Sequence, residues 1–177
     1  MPRLNVVDPA HATGKAKELF EGPLKGMQIN IFKGMANSPA ALAAYLGMAG
    51  ALKEGMLTEK EREVIALALA EAAGCHYCQA AHTMLGRRAG LSEAETLDAR
   101  RGALSDSKLG ALARFVLALN EKRGHVSDAD IAAMKSAGYT DGHIAEAVAV
   151  VALNTYTNYF NNVNQTTVDF PPAPPLR

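Results

Sequence analysis

Apolar residues recur along this chain at intervals of three and four, and no stretch alternates apolar with polar over the length of a strand. The pattern predicts an all-α, compact helical domain with short connections. Leu42, Tyr45, Leu46, Ala49 and Leu52 form one helical stripe, opened by Ser38 as a cap with Pro39 in the first turn and ended by Gly55. Val64, Ile65, Leu67, Ala68 and Leu69 form a second, opened by the capping box Thr58–Glu61 and stopped near Gly74. A third helix starts around Cys75 and runs to about Ala89, with Gly90 as its C-terminal signal. Ser92 with Glu95 opens a short helix to about Arg101. Leu109, Leu112, Phe115, Val116 and Leu119 mark the next, and Ser127 caps another that ends before Gly138. Thr140 opens the last and longest helix, whose stripe is Ile144, Val148, Val151, Ala152, Thr155, Tyr156, Tyr159, Phe160 and Val163. Upstream, shorter helices are expected over residues 14–20 and 28–35. Residues 1–177 are read as a single domain, with 1–12 an N-terminal arm and 168–177 a proline-rich C-terminal arm.

Composition narrows the function. The chain is 49% hydrophobic and 20% charged, with eighteen basic against eighteen acidic residues. No basic footprint for nucleic acid and no polybasic run for an anionic membrane is present. The most apolar run, from Ala147 to Leu153, is too short to span a bilayer. With no signal-peptide pattern at the start, the expected location is cytoplasmic. In a reducing compartment two cysteines three apart favour a catalytic or metal role over a structural staple.

Those two, Cys75 and Cys78, are the only cysteines in 177 residues. Gly74 breaks the preceding helix, so both fall in the first turn of the next one. There the free amide N–H groups and the helix dipole favour thiolate over thiol. Positions i and i+3 are neighbours, close enough for a disulfide after modest adjustment. His82 lies one turn beyond Cys78 on the same face, able to take its proton directly or through a water. Glu63 sits on the other arm of the hairpin, eleven residues before Gly74 where His82 is eight after it. At ~1.5 Å per residue the axial mismatch is roughly 4.5 Å, which a glutamate side chain can close. Glu63, His82 and Cys78 thus make a candidate orienter–base–nucleophile relay with Cys75 beside it. Two plainer readings remain: a pair of small buried cysteines, or a zinc site using Cys75, Cys78 and His82, for which a fourth ligand is missing. Glu59, Glu61 and Glu71 read as a solvated helix face. The amides Asn154, Asn158, Asn161, Asn162 and Asn164 make the end of the last helix unusually polar.

The spacing Glu-x11-Cys-x2-Cys-x3-His, carried by Glu63, Cys75, Cys78 and His82, resembles the alkyl hydroperoxidase D-like branch of the carboxymuconolactone decarboxylase family. Residues 38–90 carry most of the likeness, and the segment from Asn154 to Pro171 also looks like larger members. The resemblance implies an all-α fold and reduction of hydroperoxides, with Cys78 peroxidatic, Cys75 resolving, and His82 with Glu63 relaying protons. It implies no cofactor and no metal. Its partners would be a peroxide substrate and a thiol reductant, lipoyl-linked in some relatives. Family members without the cysteine pair decarboxylate a lactone. Well-studied peroxidase members have a histidine just before the second cysteine. Here that position is Tyr77, with His76 one earlier, and both are candidate accessory residues. The same pair could instead serve a thiol–disulfide oxidoreductase or redox-partner protein, or the chain could be a non-catalytic member. Trimers or hexamers are the implied assembly. The C-terminal arm, with Phe170 as an apolar anchor, or the amide-rich end of the last helix, is expected to pack on a neighbouring subunit.

Overall fold

The computed structural model describes residues 1–176 and contains nine α-helices and no strand among them. They are α1 (Gly14–Glu21), α2 (Asn30–Met35), α3 (Pro39–Lys53), α4 (Glu59–Ala72), α5 (His76–Arg88), α6 (Glu93–Arg101), α7 (Ser107–Glu121), α8 (Asp128–Ser136) and α9 (Asp141–Asn164). A single 3-10 turn, Pro9–His11, interrupts the N-terminal arm. It is nucleated by Asp8, whose side chain accepts the Ala10 N–H.

The capping signals explain where the helices begin. Thr58 and Glu61 exchange both bonds of a capping box at the start of α4, and Ser92 with Glu95 does the same at α6. Ser127 with Asp130 and Thr140 with His143 repeat the device at α8 and α9. Each box satisfies N–H groups that a helix start otherwise leaves without acceptors.

Helix α4 is the axis of the molecule. All seven residues from Val64 to Ala70 are buried, so the helix meets protein on every side. It packs against α5, α6, α7 and α9. Ile65, Ala68 and Leu69 join Leu112, Phe115, Val116 and Val150 in one core. Val64 and Leu67 join Leu91, Ala99 and Leu104 in a second. Ala70 belongs to a third, made with Phe20, Leu24, Phe32, Met35 and Leu42, and this one encloses Cys75 and Cys78. Residues upstream of α3 therefore wall off the cysteine pair.

Two helices depart from their sequence reading. On α3 only Leu42 is fully buried. On α9 the expected aromatic stripe faces largely outward: Val148, Tyr156, Tyr159 and Val163 are exposed. The inward face is Ala147, Val150, Val151, Asn154, Thr157, Asn158, Asn161 and Asn164. Several of these amides find partners. Asn154 Nδ2 donates to the Val150 carbonyl at 2.9 Å. Asn164 holds the N-terminal arm, accepting from the Leu4 N–H on its side chain and from the Arg3 N–H on its carbonyl. Helix α2 comes so close here that a Cβ on Gly34 would stand 2.9 Å from Asn164 Nδ2. Asn162 Nδ2 reaches the carbonyl of Ala73 at the end of α4.

Glu61 is also corrected. It is not on a solvated face but buried, with Lys108 Nζ 3.0 Å from its carboxylate. Burial pushes its carboxyl up, but hydrogen bonds from the Thr58 backbone and hydroxyl, and from Lys108, outweigh that and hold it below 4.5. A lowered folded-state value means the ionised group stabilises the fold above the unfolded value, and this is lost as pH falls through the folded one. Glu61→Gln is expected to cost about 1–2 kcal/mol at pH 7. In melts followed by circular dichroism, the gap between variant and wild type should close progressively below about pH 4.5.

Candidate active site

The turn between α4 and α5 fixes the geometry of the cysteine pair. Gly74 takes a left-handed conformation at φ +59°, open to glycine at no steric cost. The Cys75 N–H then bonds back to the Ala70 carbonyl at 2.9 Å, and the Gly74 N–H to Glu71 at 3.0 Å, a Schellman closure of α4. The residue that completes this closure is also the cap of the next helix. Cys75 Sγ accepts the N–H of Cys78 at 3.2 Å, in the place usually taken by a hydroxyl or carboxylate. The two cysteines are disulfide-bonded, with Cα atoms 5.3 Å apart. Cys75 is 0% and Cys78 2% exposed.

Glu63 and His82 face each other across the hairpin, with Nδ1 2.8 Å from Oε2. Both are largely shielded, the side chains 13% and 21% exposed. With Nδ1–H donating to the carboxylate, the neutral ring leaves Nε2 as its acceptor. Tyr45 of α3 closes this end. Burial, then the negative charge of Glu63, pushes its hydroxyl above the usual tyrosine value.

The two accessory candidates do different things. His76 is exposed and sits 3.2 Å from Gln79 Oε1. Gln79 Nε2 donates to Glu71 at 2.9 Å, and Arg100 donates to the same oxygen through Nε at 2.9 Å. Glu71 is therefore not a free surface carboxylate. It anchors a buried arginine, whose Nη1 donates to the carbonyl of Pro174 at 2.6 Å.

Tyr77 is buried, and its hydroxyl donates to Asp169 Oδ2 at 2.7 Å. Burial first, and Asp169 second, push the phenol far above its usual range, so it stays a donor. Its ring meets Phe170 edge-on at 5.5 Å. Asp169 also accepts the Asn30 N–H. The C-terminal arm thus makes these contacts on its own chain. Tyr77 supplies both a ring face and a hydroxyl, and Arg100 takes the carbonyl beyond.

One contact was not foreseen. Asn161 of α9 donates from Nδ2 to Cys78 Sγ at 3.3 Å. It also lines a cleft of about 410 Å³ with His76, Tyr77, Asn162, Gln165, Thr166 and Val168. The recurrence of amides at 154, 158 and 161 was the available signal, since that spacing puts them on one helical face. Among the described residues no three His, Cys, Asp or Glu side chains converge as a metal site. No helix among them is long and apolar enough to cross a membrane.

A disulfide-forming cysteine pair at a helix start, inside an all-helical bundle and beside a carboxylate–histidine pair, defines an alkylhydroperoxidase-D-like core. Residues 39–121, which include Glu63, both cysteines and His82, match the family model of the carboxymuconolactone decarboxylase family. Among solved structures it resembles an uncharacterized peroxidase-related protein from Ralstonia eutropha JMP134, described as an alkylhydroperoxidase AhpD core. The TM-score is 0.79 at 26% identity, over 95% of this chain and 92% of that one. A peroxidase-related protein from Silicibacter sp. TM1040 gives 0.78 at 23% identity, over 93% and 89%. A variant of the debrominase Bmp8 in complex with 2,3,4-tribromopyrrole gives 0.75 at 19% identity, over 96% and 94%. The last two likenesses concern the fold alone. No curated protein matches the chain.

The arm gives a direct test of the Tyr77 anchor. Tyr77→Phe keeps the ring against Phe170 and removes the bond to Asp169. Losing a hydrogen bond of about 1 kcal/mol should speed amide exchange across residues 165–175 roughly fivefold. Exchange at Val64 to Ala70, in the core, should not change.

Proposed function

We propose that this protein is a thiol-dependent peroxidase that reduces small hydroperoxides through Cys78 and Cys75. The observation that carries this is the disulfide-bonded pair at the start of α5 next to the Glu63–His82 hydrogen bond. In the reduced protein the Cys78 thiolate attacks the terminal oxygen of the hydroperoxide. The S–O bond forms, the O–O bond breaks, and the alkoxide leaves with the electron pair and is protonated by His82, oriented by Glu63. Cys75 then attacks the sulfenic sulfur, forming the disulfide and expelling hydroxide, which leaves as water. A dithiol reductant, lipoyl-type or another, returns the pair to thiols. The near-complete burial of both sulfurs favours a small oxidant over a folded protein disulfide. The reduced half of this cycle suits a cytoplasmic setting.

The same reading includes a homo-oligomer, a trimer or hexamer. It is supported by the apolar face that α9 leaves exposed, Val148, Tyr156, Tyr159 and Val163. Beside it runs an apolar groove of about 330 Å³ between α3 and α9, lined by Ala41, Ala44, Tyr45, Met48, Leu153 and Tyr156.

Pre-reduced wild-type protein given one equivalent of an alkyl hydroperoxide is expected to form the Cys75–Cys78 disulfide, read by mass spectrometry of the intact chain. Cys78→Ser should consume no peroxide. Cys75→Ser should stop at a sulfenic acid that dimedone traps. Glu63→Gln and His82→Asn should each slow oxidation by about 10²-fold or more, the usual worth of a positioned proton-transfer group. Unchanged peroxide consumption by Cys78→Ser would overturn the assignment. Light scattering at micromolar concentration tests the assembly, and a monomer of 18.7 kDa would refute it.

A further inference from the structure

Four of the amides on α9 are buried, and Asn161 stands apart from Asn154 and Asn164 in its bonding. Asn154 donates to a backbone carbonyl, and Asn164 donates to the Thr166 hydroxyl while accepting from Leu4. Asn161 is 3% exposed, yet its Nδ2 is spent on Cys78 Sγ at 3.3 Å. Its Oδ1 finds no donor among the described residues. Burying an amide is costly unless it is well bonded, and disulfide or thiol sulfur is a weak acceptor. A thiolate is a strong one, because a charged partner roughly doubles the worth of a hydrogen bond. The Nδ2–H is therefore under-used in the oxidised state and well used only when Cys78 is an anion. Asn161 also lines the cleft shared with Tyr77 and Thr166, so one side of this residue faces the cleft while its amide nitrogen is on the sulfur.

We infer that Asn161 is a catalytic residue that serves both partners of the reaction: Nδ2–H stabilises the Cys78 thiolate, and Oδ1 accepts the O–H of the bound hydroperoxide. The inference rests on the peroxidase reading. The two ends of one planar amide then hold sulfur and the terminal peroxide oxygen side by side. That oxygen is attacked and keeps its proton, becoming the S–OH of the sulfenic acid. The O–O electron pair leaves on the alkoxide, which takes its proton from His82. Asn161 itself gains and loses nothing. Its contribution is charge stabilisation and orientation of the oxygen that transfers.

The test uses the full chain carrying Cys75→Ser, so that one thiol remains. The pH profile of Cys78 alkylation by iodoacetamide reports the thiolate, and the second-order rate with tert-butyl hydroperoxide reports the transfer. Asn161→Leu should raise the alkylation midpoint by about one pH unit. It should also slow peroxide oxidation about tenfold or more at pH 7. Asn161→Asp keeps the shape, removes the donor and adds a like charge, so its midpoint should rise further. This near-isosteric variant carries the test if Asn161→Leu does not fold. Asn154→Leu, a buried amide on the same face that does not touch the sulfur, should leave the midpoint unchanged. Asn161 variants with the wild-type midpoint and peroxide rate would overturn the inference. A shifted midpoint with an unshifted rate, after correction for thiolate fraction, would overturn the role of Oδ1. If Asn161-intact protein shows a titrating Cys78 but consumes no peroxide, the peroxidase reading falls and the Oδ1 role with it. The alkylation profiles then decide the role of Nδ2 by themselves.

Discussion

The structure depends on a single backbone hydrogen bond, from the Cys75 N–H to the Ala70 carbonyl. It closes α4 and, in the same residue, starts α5. With a left-handed glycine between them, the two helices fold back at one fixed angle and register. Register is what a polar pair on facing helices needs: one residue of slip would rotate His82 by roughly 100° away from Glu63. The bond also sets the sulfur of Cys75 over the free N–H groups of α5. Side-chain chemistry at this site is thus inherited from a backbone event with no side chain of its own.

Around that hairpin the chain supplies three walls. The segment from α1 to α3 covers the cysteines with Phe20, Leu24, Phe32 and Met35. Helix α9 brings an amide to the sulfur from 83 residues away in sequence. The arm closes the remaining side through Tyr77, Asp169 and Phe170. A chain of polar groups, His76–Gln79–Glu71–Arg100–Pro174, ties this arm to the start of α5. The cysteine pair is as shielded as core leucines and yet flanked by polar groups, an environment suited to an anion that must not meet bulk water freely.

Most of the fold was legible because its punctuation is local. Thr58–Glu61, Ser92–Glu95 and the glycines at 74, 90 and 138 mark helix ends within a few residues, and the structure follows them. The proximity of Glu63 and His82 could also be estimated, from helix rise alone. What could not be read was which face of α9 turns inward. Hydrophobic periodicity favoured Tyr156 and Tyr159, but Asn154, Asn158 and Asn161 are buried: Asn154 bonds within its own helix and Asn161 to Cys78, neither of which periodicity reports. The same limit hid the burial of Glu61 and the half-burial of Glu71. A carboxylate looks solvated until Lys108 or Arg100 is known to face it, and neither is near it in sequence.

The burial of the middle of α4 on every side also has an evolutionary consequence. The stretch from Val64 to Ala70, with no solvent face, has few neutral positions. Enlarging Ala66, Ala68 or Ala70 forces a neighbour out of place, and trimming Ile65 or Leu67 leaves a void that its neighbours fill only in part. Helices α3 and α8 each keep a single fully buried residue, Leu42 and Met134, and can drift freely on their outer faces. Divergence in this architecture is therefore channelled to the periphery. Surface character can change there while the hairpin that carries the sulfurs stays the same.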